Sequence, residues 1–256
     1  MYGKILNFKD RKAMLWTEQY KELAEQAKIS AVFNRYNVDT AKIMKIEQQK
    51  CGFCYYTEIF FAEPIKITFA SGQTLLIDRF TKLLGRTSFH LVPQTVQIAS
   101  GETVEISKGC VDLLHDSIDL EIIKPTEIHA PFAGDTFTAS HIWLYPDFRL
   151  ESAALAAGII NIHLPNGNIL YVCSEGCPDA IYFYSTGNLK GLNLRYPQYQ
   201  EIHLADGTTK RVRISHFSLD EAGTKYYIFS PLLPIDETII KEKYGIENIY
   251  RDASNI

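Results

Sequence analysis

The residues with the clearest chemical potential are four cysteines in two short pairs. Two residues separate Cys51 from Cys54, and three separate Cys173 from Cys177. Closely spaced thiolates are the ligands of tetrahedral structural zinc sites. If both pairs met, these four cysteines would bind one zinc ion and tie the N-terminal part of the chain to its later strands. The alternative is four ordinary buried thiols, since free cysteine is among the most buried residue types.

The first cysteine pair belongs to a longer motif, Gln48-Gln-Lys-Cys-Gly-Phe-Cys54-Tyr55. This motif resembles the segment around the nucleophile of papain-like cysteine proteases, Gln-x-x-Cys-Gly-(Ser/Ala)-Cys-(Trp/Tyr). The resemblance covers eight residues of 256. It implies that Cys54 is a nucleophile, that Gln48 donates to an oxyanion, and that His163 or His203 downstream holds the proton.

The same region departs from the protease pattern in two ways. Papain-like proteases begin a long helix at the nucleophile, whereas Pro64 follows Cys54 here after ten residues, and Phe53 replaces a small residue. The spacing of Cys51 and Cys54 is also that of a thioredoxin-like redox pair. Such a pair follows a buried strand, and the residues that precede this one are polar.

A further candidate for cation binding lies within residues 111–120. Asp112, His115, Asp116 and Asp119 would share one face of a helix and could bind a divalent cation there. In a turn before a strand, the same side chains would be solvated and separate. The sequence contains no GxGxxG, Walker, HExxH or GxSxG motif, so the commonest nucleotide, zinc-protease and serine-hydrolase signatures are absent.

Aromatic residues mark possible binding surfaces in predicted loops. Trp143–Phe148, Tyr182–Tyr184 and Tyr196–Tyr199 contain several aromatic residues, and two of these segments also contain proline. Tyrosine and tryptophan at loop tips often anchor binding surfaces, and they pack equally often beneath long loops.

Charge and composition exclude several classes of protein. The net charge is −4, so the chain has no basic excess for nucleic-acid binding. No apolar run approaches the roughly 20 residues of a membrane-spanning helix. Five cysteines, an odd number in a chain of this length, argue against a disulfide scaffold. A cytoplasmic location is expected, with export by a route that needs no signal peptide left open.

One motif, which occurs three times, predicts the strands and turns that position these residues. Ile67–Gly72, Ile162–Gly167 and Ile202–Gly207 share the pattern Ile-x-(Phe/Leu)-(Ala/Pro)-(Ser/Asn/Asp)-Gly, and Ile98–Gly101 is a shorter copy. Ser-Gly, Asn-Gly and Asp-Gly between alternating apolar residues predict hairpin turns, because glycine adopts the positive φ that these turns need. The chain is therefore expected to be predominantly antiparallel β, a sandwich or barrel of hairpins.

A helical pair is predicted before this β body, which gives an α+β class. Asp10 would cap a helix to about Lys28, and Asp39 would cap a second helix from Ala41 to about Lys50. Residues 1–50 would form an N-terminal helical cap and 51–256 the β-rich body, either one unit or two with a seam near 125–139. Three later helical segments are also predicted: a turn at Arg79–Leu84, a helix at Phe148–Ala157 and a short helix around Glu237–Tyr244.

The leading functional hypothesis is a soluble β-rich binding or assembly module without an evident catalytic site. Its partner would be a protein or a small molecule, and no cofactor is expected. One alternative is a cysteine-dependent hydrolase or transferase that uses Cys54 with a downstream histidine. The other is a β domain with a structural zinc site on the four paired cysteines.

Overall fold

The computed structural model describes residues 4–7, 29–51, 54–83, 86–129, 136–163, 169–203, 207–221 and 226–229. Antiparallel strands dominate this part of the chain, as predicted. One α-helix, α1 (Ile29–Arg35), and a single 3-10 turn (Thr40–Lys42) accompany them within these ranges. The strands in chain order are β1 (Lys4–Asn7), β2 (Ile43–Cys51), β3 (Cys54–Thr68), β4 (Thr74–Leu83), β5 (Arg86–Leu91), β6 (Gln94–Gln97), β7 (Thr103–Asp112), β8 (Ser117–His129), β9 (Thr136–Leu144), β10 (Leu150–Leu155), β11 (Gly158–His163), β12 (Ile169–Ser174), β13 (Ala180–Phe183), β14 (Leu189–His203), β15 (Thr209–Leu219) and β16 (Tyr226–Phe229).

The repeated Ile-x-x-x-x-Gly motif forms hairpins. At its first copy, Thr68 of β3 faces Thr74 of β4, and Gly72 closes the turn at φ +85° with its N–H on the carbonyl of Phe69. A side chain at that φ would be strained, so the glycine is required. The shorter copy joins β6 to β7, and the third joins β14 to β15. The second joins β11 to β12 through residues 164–168, which lie outside the described ranges.

The described chain forms two compact units. The first takes the chain as far as Gln97, Thr103–Glu121 and Leu144–Phe148. The second takes Ile98–Glu102, Ile122–Trp143 and the chain from Arg149 onwards. Strands pair in the order β1-β2-β3-β4-β5-β7 in the first unit, with β6 also on β7. The second unit contains the order β9-β10-β13-β14-β15-β16 and the separate pair β11-β12.

A row of apolar residues crosses the sheet of the first unit. Ile46, Ile59, Phe80, Phe89 and Val111 are successive cross-strand partners, and all are buried. Alternation along each strand places this row on one face of the sheet, which therefore forms the core.

Helix α1 packs its aromatic side on this core. The Phe33 ring meets Phe80 edge-on with centroids 5.1 Å apart, and the Tyr36 ring meets Phe69 at 5.4 Å. The N–H of Thr68 donates to the carbonyl of Tyr36 at 3.0 Å, which fixes the end of the helix to β3. A seven-residue helix is marginal alone, so tertiary packing stabilises it.

The second unit repeats this arrangement with a different row. Ala153, Ile181, Leu192 and Phe217 are successive partners from β10 to β15, and all are buried. Phe137 stacks on Phe183 nearby, with ring centroids 6.0 Å apart.

The predicted helix at 41–50 is wrong, because Ile43–Cys51 is strand β2. Ile43, Met44 and Ile46 suit a helical stripe as well as a strand, and a short apolar pattern cannot separate the two. Pairing with the β-forming sequence of β3, which places Ile46 opposite Ile59, decides between them. Asp39 does act as a cap, but of the 3-10 turn, where its carboxylate accepts from the N–H of Ala41. The helix predicted at 10–28 lies outside the described residues.

Two further helical predictions are also wrong. Residues 79–83 continue β4, and 150–155 form β10. In β10 the side chains of Ser152, Ala153, Ala154 and Leu155 are all buried, so small residues occur on both faces of a covered strand. Their small size and uniform burial imitate the pattern of a helix face. The short helix predicted around 237–244 lies outside the described ranges.

Candidate interaction surface

The hairpin of β11 and β12 has one buried face. The strands pair without a register shift from Gly158 opposite Ser174 to His163 opposite Ile169. Alternation turns four side chains inward, where each is buried: Ile160, Ile162, Leu170 and Val172. β12 also lies beside β14, so the second unit supports the hairpin.

The opposite face of the hairpin is exposed and carries no Asp, Glu, Lys or Arg. Ile159 is 80% exposed and Tyr171 is 61% exposed, and both are large apolar side chains. Asn161, His163 and Cys173 are exposed beside them. We call the outward side chains of the two strands the hairpin face: Ile159, Asn161, His163, Ile169, Tyr171 and Cys173.

One buried aspartate holds both ends of this hairpin. Asp179 is 2% exposed, and its Oδ2 accepts from the hydroxyl of Ser174 at 3.1 Å and from the N–H of Glu175 at 2.9 Å. Its Oδ1 accepts from the N–H of Arg195 at 2.6 Å, and its carbonyl accepts from the N–H of Leu155. Leu155 precedes the hairpin and Ser174 ends it, so one residue links both ends to β14.

A second polar cluster lies on the first unit, on the face of the sheet opposite its core row. Arg79 donates from Nη1 to Glu58 at 3.2 Å and lies 3.5 Å from Nδ1 of His90 through Nη2. Nε2 of His90 lies 2.9 Å from the hydroxyl of Thr81, which lies 2.9 Å from the hydroxyl of Ser88. Adjacent strands β3, β4 and β5 supply these side chains, and Glu58 and Thr81 are buried.

The arrangement determines what His90 can do. A guanidinium only donates, so Nδ1 accepts and Nε2 carries the proton, which it donates to Thr81. Burial lowers the pKa of His90, and the charge of Arg79 lowers it further, against smaller opposing effects of Asp78 and Glu58. His90 in this state is neutral and holds no free lone pair toward Thr81, so it does not activate that hydroxyl.

Tyr56 joins this cluster through Glu58. Burial and a hydrogen bond to Glu58 raise the pKa of Tyr56 to about 12, so its phenol stays protonated at neutral pH. The Glu58 carboxylate thus receives both a phenol and a guanidinium, and its charge is matched inside the cluster.

The predicted catalytic residues lie on hairpin strands. Cys54 begins β3 and faces Cys51 at the end of β2, and Gln48 faces Thr57 three residues further along the ladder. His163 ends β11 in the second unit and is exposed. The nucleophile predicted from the protease resemblance therefore begins a strand, where that family begins a helix.

The four predicted zinc ligands also belong to two different units. Cys51 and Cys54 belong to the first unit, and their backbones are direct cross-strand partners. Cys173 and Cys177 belong to the second unit, and both are exposed. Among the side chains that the structure describes, no group of three or more His, Cys, Asp or Glu residues is placed to hold a metal ion.

The acidic segment 111–120 forms a turn and not a helix. β7 ends at Asp112, which accepts from the N–H groups of Leu114 and His115 and from Nδ1 of His115 at 2.8 Å. Burial alone would raise the pKa of Asp112, but these hydrogen bonds outweigh it and the pKa is lowered. Asp116 pairs instead with Arg35 at 3.4 Å, so the carboxylates of Asp112 and Asp116 bind different partners.

Two of the three predicted aromatic loops are wrong, because Tyr182 and Phe183 belong to β13 and residues 196–199 belong to β14. Several of the aromatic side chains contribute to packing. Phe148 and Phe183 are buried, and the hydroxyl of Tyr184 donates to the carbonyl of Leu219 at 2.6 Å. The side chains of 196–199 lie outside what the structure describes. The exposed Tyr171 was not among the predicted aromatics, although it alternates with the buried Leu170 and Val172 in a predicted hairpin. This alternation in the sequence is the signal from which an exposed Tyr171 could be predicted.

No protein-family model, curated protein or solved structure matches this chain. None of the helices in the described ranges has the length and apolar character needed to cross a membrane.

Proposed function

We propose that this chain is a binding or assembly module that acts through the hairpin face. One observation carries the proposal: Ile159 and Tyr171 are large apolar side chains, 80% and 61% exposed, at diagonal positions on the same face of a regular hairpin. When a partner covers exposed apolar side chains, it removes their surface from water and so stabilises the complex. Tyrosine is enriched at the centre of such surfaces, because its ring buries a large area and loses little conformational entropy.

The fixed position of the hairpin supports the same proposal. Asp179 ties Leu155, Ser174 and Arg195 together, so the hairpin face is presented by a rigid base. A preorganised surface loses less conformational entropy on binding than a mobile loop does.

A site-specific photocross-linker tests this proposal. We would place p-benzoyl-phenylalanine at position 171, and at Leu114 as a control that is 58% exposed on the first unit. In an extract of the cells that make the protein, irradiation should give a discrete adduct from position 171 and none from position 114. Adding Ile159→Ser to the position-171 variant should remove the adduct. Equal adducts from both positions, or none from either, would contradict the proposal.

The two cysteine-based alternatives remain proposals with a separate test. The direct opposition of Cys51 and Cys54 supports a shared thiol site, whether it serves a nucleophile at Cys54, with Gln48 and His163, or zinc with Cys173 and Cys177. Residue-resolved alkylation with metal analysis separates them. Selective labelling of Cys54 favours the enzyme, whereas stoichiometric zinc with all four thiols protected favours the structural site. The odd cysteine count supports a cytoplasmic location, also as a proposal.

A further inference from the structure

We propose that a second copy of this chain pairs with strand β11 as an antiparallel neighbour. The inference goes beyond the proposed function, because it concerns the backbone edge of β11, and pairing at this edge does not cover the hairpin face. In the described structure β11 pairs with β12 on one side alone, and residues 158–162 make no other backbone hydrogen bond. Such an edge presents N–H and C=O groups that a further strand can satisfy.

The β11 edge lacks the features that keep natural edge strands apart. Its sequence, Gly158-Ile-Ile-Asn-Ile-His163, contains no lysine, no other charged residue and no proline. Its register with β12 runs through six consecutive pairs without a bulge. Edge strands that stay solitary carry inward charges, prolines or bulges, so a straight and uncharged edge favours pairing.

The absence of charge favours a second copy as the partner. Two-fold pairing places each strand beside its own sequence, so any charge on the edge would face a like charge. The chain has a net charge of −4, but neither β11 nor the hairpin face carries any of its ionised carboxylates or cations. Self-association at this edge therefore avoids the repulsion that a charged edge would impose.

Geometry restricts the register of this pairing. The two-fold axis that joins two antiparallel edges is perpendicular to the sheet, so exposed side chains stay on one face. Residues directly opposite each other must then have numbers whose sum is even. In the two central registers the axis passes between Ile160 of the two copies or between Asn161 of the two copies. In either register Asn161 lies within one residue of the axis, close to Asn161 of the second copy.

Sedimentation velocity from about 1 µM to about 1 mM, the range of weak association, tests the inference. Reductant is included because Cys173 and Cys177 are exposed. Wild-type protein should show a concentration-dependent dimer. Asn161→Lys should raise the dimer dissociation constant at least about tenfold, because it places two like charges beside the axis. Ile123→Lys adds the same charge at a position on β8 that is 51% exposed, and should leave the constant unchanged.

Mixing variants of opposite charge gives a positive test. An equal mixture of Asn161→Lys and Asn161→Glu should form a heterodimer more tightly than either variant forms a homodimer, and added salt should weaken it. Failure of the mixture to associate, or a dimer that Asn161→Lys leaves unchanged, overturns the inference.

The outcome also separates this inference from the proposed function. Monomer at every concentration, together with a position-171 adduct on a different protein, rejects the second copy and retains the binding module. Monomer at every concentration without any adduct rejects both.

Discussion

Replacing Asp179 tests whether a buried carboxylate holds the candidate hairpin in place. The carboxylate accepts the backbone N–H groups of Glu175 and Arg195 and the hydroxyl of Ser174. Asp179→Ala would leave two backbone donors without a partner, while the hydroxyl can rotate. An unsatisfied buried donor costs about 1–3 kcal/mol, and both of these hydrogen bonds are only partly buried, so the loss should lie in the lower half of about 2–6 kcal/mol of unfolding free energy.

Asp179→Asn gives a graded version of the same experiment. The amide keeps one oxygen, which best serves Ser174 and Glu175, and its NH2 group then faces the N–H of Arg195. One donor is lost, so the expected cost is about 1–3 kcal/mol, below that of alanine. Asp116→Asn is the matched control, because Asp116 is exposed and its ion pair with Arg35 should contribute less than about 1 kcal/mol.

Two measurements check these values. Urea unfolding followed by circular dichroism gives the change in unfolding free energy. Hydrogen exchange of the β11 and β12 amides then locates it, because release of Asp179 should lower protection in the hairpin before the rest of the second unit. If Asp179→Ala loses no more stability than Asp116→Asn, or if hairpin protection is unchanged, the structural role of Asp179 is refuted.

Three further predictions follow from the packing and the pKa shifts. Gly191→Ala should cost about 1–3 kcal/mol in urea unfolding, because its Cβ would clash with the backbone carbonyl oxygen of Phe217. Burial, then Asp119 and Asp112, raise the pKa of the Cys110 thiol to about 11, so alkylation at about pH 8 should be slower at Cys110 than at exposed Cys177. The pKa of His90 lies below 6.5 in the folded protein, so the unfolded chain binds more protons than the folded chain does. The unfolding free energy should therefore fall as the pH drops below about 6.5. His90→Gln should make that fall smaller.

The hairpins could be predicted from sequence because their signal is local. The turn glycines and the alternation around them determine pairs such as Thr68 with Thr74, and the β11–β12 hairpin followed from the same rule. The strands β2 and β10 could not be predicted in this way. Ala153 is buried by a partner distant in sequence, Ile181, about which local pattern contains no information. Ile46 faces Ile59 across the hairpin of β2 and β3, but the apolar residues of β2 fit a helical stripe as well as a strand.

The candidate site was predictable only in part. Alternation in β11 and β12 predicts that Ile159 and Tyr171 share a face, but a sequence cannot show which face of a hairpin is covered. The support from Asp179 was also not predictable, because it depends on Ser174 and Arg195 meeting at one carboxylate. The predicted chemistry at Cys54 rested on a short motif, and the sequence after it, which is rich in β formers and contains Pro64, favours the strand that begins at Cys54 over the helix of the protease family.

The polar cluster and Asp179 differ from the hairpin face in one physical respect. Glu58, Arg79 and His90 direct their hydrogen-bonding groups toward one another, and Asp179 directs its oxygens to the backbone. Groups already satisfied in this way gain little from a ligand, since binding would exchange one hydrogen bond for another. Ile159 is 80% exposed, so its covering by a partner would remove apolar surface from water without breaking an existing bond. This difference is the reason to look for function on the hairpin before the polar cluster.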